Sequence, residues 1–170
     1  MKTVTTLAAL VLAAACSPAP RDAAFRPLKA GDPAPAYAVR TLAGDTVRVG
    51  AGVPVLLNVW ATWCTSCREE MADLAALDRA YAPRGVRVLA VSVDAGDGTR
   101  VRRFVEAEKL QFAVAHDPAG EVQRSFQAVG VPETYLISGS GTLLWVQRGG
   151  LHGAPAAVRA MLDSIVNAEP

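Results

Sequence analysis

The stretch Trp60-Ala61-Thr62-Trp63-Cys64-Thr65-Ser66-Cys67 lies between an apolar run that ends at Trp60 and a helical pattern that begins near Thr65. At this spacing both sulfurs fit one first turn of helix, close enough to join or to separate. The unpaired amides of a helix start favour a thiolate at Cys64, the reactive form of the side chain. Reversible dithiol–disulfide chemistry is therefore the first functional reading. Two plainer readings compete with it. A zinc site needs four ligands, and beyond the pair the chain holds one further cysteine, Cys16, and two histidines. Closing such a site takes both histidines or a carboxylate. An inert structural disulfide fits poorly with an exposed strand-to-helix turn beside Trp63.

Working outward, residues 55–60 form a nearly continuous apolar run, the pattern of a central strand covered on both faces. From 66 to 81, Met71, Leu74, Leu77 and Tyr81 recur at spacings of three and four, an amphipathic helix ended by Pro83 and Gly85. A valine-rich strand over 86–93 follows, then a helix over 99–109 with Val101, Phe104 and Val105 inward, and a short strand over 112–115. A brief helix over 121–127 precedes Gly130-Val131-Pro132-Glu133-Thr134. Strands over 135–137 and 142–147 flank the turn Ser138-Gly139-Ser140-Gly141, and Val158, Met161, Leu162 and Ile165 mark the apolar face of a last helix. Before the central strand, 37–41 and 46–49 read as a hairpin around Ala43-Gly44-Asp45. The order implies an α/β chain: a mixed central sheet flanked by helices, with an N-terminal β-hairpin extension.

With 170 residues the chain makes one domain plus a tail. Seventeen basic against sixteen acidic side chains leave a net charge of +1, and no electrostatic case for nucleic acid. Arg100, Arg102 and Arg103, followed by Glu106 and Glu108, read as a solvated helix face. Lys2 precedes an apolar stretch over 4–15, too short to span a hydrocarbon core of roughly 30 Å. A basic start, a short apolar segment and small residues describe a signal peptide over 1–15, so the mature chain is exported. Leu12-Ala13-Ala14-Ala15-Cys16 resembles a bacterial lipobox, with Ala13 where leucine is commoner, which makes Cys16 a lipid attachment site and accounts for an odd cysteine; the alternative is ordinary cleavage near Ala15 that leaves a free thiol. Residues 16–30 then read as a tether, and 31–170 as the folded domain. Fully extended at about 3.3 Å per residue, 17–29 reach roughly 40 Å.

The segment from Asn58 through Cys64 and Cys67 to Met71, the strand end Ser92-Val93-Asp94, and Gly130-Val131-Pro132-Glu133-Thr134 together resemble the TlpA/ResA-like branch of the thioredoxin superfamily. The resemblance covers roughly residues 30–166 and implies a thioredoxin-like fold. It also implies an extracytoplasmic, membrane-tethered thiol–disulfide oxidoreductase, a monomer without metal or other cofactor beyond the Cys64–Cys67 pair. Pro-Glu-Thr after Val131 is similar to the reductases of cytochrome c maturation, which implies exported clients such as apocytochrome c and a membrane thiol electron donor.

The resemblance implies a role for each site residue. Cys64 attacks a client disulfide, and Cys67, more buried, displaces the client from the mixed disulfide. Glu70, three residues after Cys67, carries protons for the pair, with a pKa raised by partial burial; its plainer reading is a surface acid suited to a helix start. Pro132 takes the family's cis-proline position, and Val131 offers main-chain groups to an extended substrate. Trp63 contacts substrate, while packing alone accounts for Trp60. Asn58 stands where thioredoxin has a buried aspartate, and Glu133 either tunes the site or caps a strand end. Ser66 stands where many relatives have proline, which leaves redox poise open. Two alternatives remain. A thiol peroxidase needs Thr or Ser three residues before the cysteine and Pro further back, and here those positions hold Ala61 and Leu57. A Sco-like copper chaperone needs Cys-x-x-x-Cys and a distal histidine, so His116 or His152 has to reach the pair.

Overall fold

A computed structural model describes residues 25–151 and 156–168. The apolar run forms strand β3 (Val55–Trp60), preceded by a small antiparallel hairpin of β1 (Ala38–Arg40) and β2 (Thr46–Arg48). Then follow α1 (Thr65–Glu69), α2 (Met71–Tyr81), β4 (Arg87–Ser92), α3 (Thr99–Ala107), β5 (Ala113–His116), α4 (Glu121–Phe126), β6 (Glu133–Ile137), β7 (Leu143–Arg148) and α5 (Ala156–Ala168). The sheet order is β5-β4-β3-β6-β7, with β3 parallel to β4, β4 parallel to β5, and the β3–β6 and β6–β7 pairs antiparallel. The helical crossovers make the parallel half and the 138–141 turn makes the antiparallel edge, as the element order requires.

Alternation along β3 divides the core. Leu56 and Trp60 pack with Met71, Leu74 and Leu77 of α2, Val101 of α3, and Val158 and Leu162 of α5. Trp60 is fully buried, its ring centroid 5.2 Å from that of Phe104. Val55, Leu57 and Val59 face the other way, onto Phe126 of α4, Tyr135, Tyr37 and Val47 of the hairpin. A side chain of period two on a strand covered on both faces leaves no solvent side, which is why the run reads as continuously apolar. Burial disfavours ionisation of Tyr37 and Tyr135, so both phenols titrate well above their ordinary range. Gly139 lets the edge turn close: a Cβ there would meet Gly52 O at 2.7 Å.

Two features depart from the sequence reading. The single helix expected over 66–81 is interrupted at Glu70, between α1 and α2. The Glu70 side chain is bonded inward to β3 and to the segment ahead of α5, which pins the chain at the junction. Packing also begins ahead of residue 31. Leu28 is buried, Arg26 N donates to Gln127 Oε1 at 2.8 Å, and Arg148 Nη2 donates to Leu28 O at 2.7 Å. The signal-peptide segment, Cys16, His152 and Pro155 lie outside the described residues. Among the described residues no helix is long and apolar enough to cross a membrane.

Candidate active site

Strand β3 delivers the chain to a tight turn, with Val93 N bonded to Trp60 O at 2.9 Å and Cys64 N bonded to Ala61 O at 3.1 Å. Cys64 caps α1 in an extended conformation, and Cys67 lies in the first turn. The two are joined by a disulfide with their Cα atoms 5.2 Å apart. Cys67 N donates to Cys64 Sγ at 3.2 Å, so the sulfur takes the place of a capping oxygen and the same N–H supports a thiolate after reduction. Cys67 is fully buried and Cys64 keeps 7% exposure. The order of exposure follows expectation, but Cys64 is more recessed than an open helix mouth implies, because its sulfur turns inward onto the Cys67 amide. Trp63 beside it is 63% exposed.

Glu70 is not a surface acid; it retains only 2% exposure. Asn58 Nδ2 donates to Glu70 Oε1 at 2.8 Å and to Thr134 Oγ1 at 2.9 Å, and Leu151 N donates to Glu70 Oε2 at 2.8 Å. Two N–H donors on two oxygens suit an ionised carboxylate, which accepts and has nothing to donate. Asn58, on the same face of β3 as Leu56 and Trp60, thus acts as a bracket between the central strand, the helix junction and β6.

The Val131–Pro132 peptide bond is cis. In the β3–β6 register Glu133 is opposite Val59, so Pro132 comes level with Trp60, where the Cys64 turn leaves the sheet. Val131 packs against the cluster that contains Cys64 and Cys67. Glu133, 1% exposed, lies 3.1 Å from Arg148 Nε across the β6–β7 pair and accepts from Val129 N at 3.0 Å. It therefore anchors the loop ahead of Pro132. Arg148 went unread in the sequence; its signal is the cross-strand register Glu133↔Arg148, which requires the pairing first.

Asp94, singled out before only as part of a strand end, is a third buried acid. It accepts from Thr62 N at 2.8 Å, from Thr62 Oγ1, and from Ser92 Oγ at 2.7 Å. Burial opposes its charge, but the bonds from Thr62 and Ser92 outweigh that, and the carboxyl titrates below its ordinary value. It thereby clamps the turn two residues ahead of Cys64. His116 Nε2–H donates to Asp94 O at 2.7 Å. Among the described residues no three His, Cys, Asp or Glu side chains converge as a metal site.

Comparison with known proteins places this geometry. The AhpC/TSA family profile matches residues 30–146. The thiol–disulfide oxidoreductase ResA of Oceanobacillus iheyensis is 34% identical over 129 residues, covering 72% of this chain and 67% of that one. The thioredoxin-like protein YneN of Bacillus subtilis is 31% identical over 120 residues, with 68% and 69% covered. The crystal structure of a DsbE-type thiol:disulfide interchange protein of Chlorobium tepidum superposes with a TM-score of 0.69 at 30% identity, covering 83% of this chain and 97% of that one. The architecture is the thioredoxin fold, and the Cys64–Cys67 pair occupies a strand-to-helix turn at the end of β3. The chain belongs to the AhpC/TSA family, and within it to the TlpA/ResA-like thiol–disulfide oxidoreductases.

Proposed function

We propose that this oxidoreductase works outside the cytoplasm as a reductant of disulfides in exported proteins, apocytochrome c among them, tethered by a lipid on Cys16 and resupplied by a membrane thiol donor. The reaction needs no cofactor beyond the cysteine pair. The Cys64 thiolate attacks one sulfur of a client disulfide and expels the other as a thiolate, forming a mixed disulfide. Cys67 then attacks Cys64 Sγ, releases the second client thiol and closes the Cys64–Cys67 disulfide. Two electrons pass to the client, and two protons accompany them.

The observation that carries the direction is a pair of buried carboxylates flanking the disulfide turn along the chain: Asp94, which holds Thr62 two residues ahead of Cys64, and Glu70, three residues after Cys67. Negative charge in a low-dielectric site disfavours a thiolate, so the disulfide is the preferred state and the reduced pair is a good donor. In this reading Glu70, three residues after Cys67, carries its proton, and Val131 and Pro132 align the client backbone. A thiol peroxidase is the competing reading. Ala61, three residues before Cys64, has no hydroxyl to activate a peroxide, which favours the disulfide substrate.

The test is the reduction potential of the pair, read from tryptophan fluorescence in a dithiothreitol redox series. A value near −270 mV, that of thioredoxin, supports the reductant; one near −120 mV, that of a strong oxidant, overturns it.

A further inference from the structure

Beside the disulfide turn lies an open cleft of about 510 Å³ between Trp63 and the start of α3, lined among others by Asp94, Asp97, Arg100 and Arg103. Its formal charges cancel, but its hydrogen-bonding capacity does not. Both Asp94 oxygens are taken by Thr62 and Ser92. Both Asp97 oxygens are taken by Thr99, whose N–H and hydroxyl donate at 3.0 and 2.9 Å. Asp94 is buried, whereas Asp97 stays at the surface with its oxygens held by Thr99. Arg100 and Arg103 are exposed, stand one helical turn apart on the same face of α3, and form no ion pair or side-chain hydrogen bond among the described residues. What the cleft offers to solvent is therefore two guanidinium forks without a carboxylate partner against one carboxylate already engaged by Thr99, beside the exposed Trp63, one residue from the sulfur that meets the client.

We propose that this cleft recognises an acidic segment of the client protein, with Arg100 and Arg103 receiving its carboxylates and Trp63 covering the chain between them and the client cysteine. Guanidinium and carboxylate match in geometry and pair through two parallel N–H···O bonds. This assigns a specificity role to arginines that the sequence presents only as a solvated helix face. It rests on the reductase reading above, since it names which exported disulfides are preferred. It selects clients with Asp or Glu flanking the disulfide and disfavours those flanked by Lys.

The experiment uses the full-length protein in its reduced form with disulfide-cyclised peptides flanked entirely by Glu, Gln or Lys, and uncharged 2-hydroxyethyl disulfide alongside. Exposed pairs contribute about 0.2–1 kcal/mol each, so two of them favour the Glu peptide over the Gln peptide by about twofold to thirtyfold in rate. The ratio shrinks at about 0.5 M salt, where the Debye length falls to roughly 4–5 Å. The R100Q/R103Q variant brings the Glu-to-Gln ratio to about one, and R100E/R103E inverts it. A ratio taken within one variant is independent of any change in the sulfur chemistry itself. Equal rates for the three wild-type peptides, or a ratio that survives R100E/R103E, overturn the cleft proposal alone. Failure of the wild type to reduce 2-hydroxyethyl disulfide overturns the reductase reading, and this proposal with it.

Discussion

Replacing Asn58 by Asp sets a second carboxyl against Glu70 with almost no change in shape. The amide nitrogen of Asn58 is 2.8 Å from Glu70 Oε1, and both residues are buried. Two carboxylates about 4 Å apart repel by about 4 kcal/mol at an effective dielectric constant near 20. That is about three pKa units, so one of the two keeps its proton to near neutral pH. The folded-state pKa of the pair then lies above the unfolded value of about 4, and between the two the folded chain binds more protons. Stability of N58D therefore falls as pH rises through this window. Near pH 4 a shared proton replaces the amide bond, and the variant lies within about 1 kcal/mol of wild type. By pH 8 the deficit approaches about 4 kcal/mol. Urea denaturation of the oxidised protein at pH 4, 6 and 8 measures it. A deficit independent of pH refutes the inference that the Asn58 amide rests on an ionised Glu70.

The same logic extends to the other buried acids. R148A leaves Glu133 buried without its cation and Leu28 O without its donor, and we expect a loss of about 1–3 kcal/mol, reduced because Arg148 is partly exposed. R148K restores part of the urea midpoint. D94N turns an amide N–H2 toward donors on Thr62 or Ser92 and costs about 1–3 kcal/mol at pH 7. The Asp94 pKa is depressed in the fold, so this contribution is present above the unfolded value of about 4 and disappears as pH falls through the folded value. Acid titration of urea midpoints should therefore bring D94N and wild type together. C67S traps a client on Cys64 as a stable mixed disulfide visible on a non-reducing gel, whereas C64S traps none; the reverse pattern makes Cys67 the attacking sulfur.

Much of the fold was legible because it rests on apolar patterning. The continuous run over β3, the period of α2 and the valines of β4 each pointed to one structure, and those side chains fill the two halves of the core. The cysteine spacing was legible for a different reason: few other uses exist for two sulfurs at the end of a buried strand. The acids were harder. Glu69 and Glu70 are chemically identical neighbours on the helix, and only the register of the sheet and the approach of Leu151 decide that one is solvated and the other buried. Asp94 and Glu133 were visible as letters of a familiar motif, but their partners Thr62, Arg148 and Val129 come from other segments. A buried charge is defined by what surrounds it, and that information is long-range. The break at Glu70 has the same origin: nothing in helix propensity ends a helix at a glutamate, but a side chain fastened inward to β3 does.

These three acids also share a physical role that no one of them shows alone. Each fastens a different piece of backbone to the sheet: Glu70 the helix junction and the segment before α5, Asp94 the turn ahead of Cys64, Glu133 the loop ahead of Pro132. A site that must alternate between a closed disulfide and two thiols has to keep its surroundings still while its own sulfur–sulfur bond breaks. Carboxylates accepting N–H groups do this at short range, and where no cation among the described residues forms an ion pair with them, as at Asp94 but not at Glu133 beside Arg148, their charge simultaneously opposes the thiolate. Rigidity and reducing power would thus come from the same side chains, so a neutral substitution such as D94N should loosen the turn and raise the reduction potential together. A potential unchanged beside a lowered stability would separate the two effects and leave Asp94 a purely structural clamp.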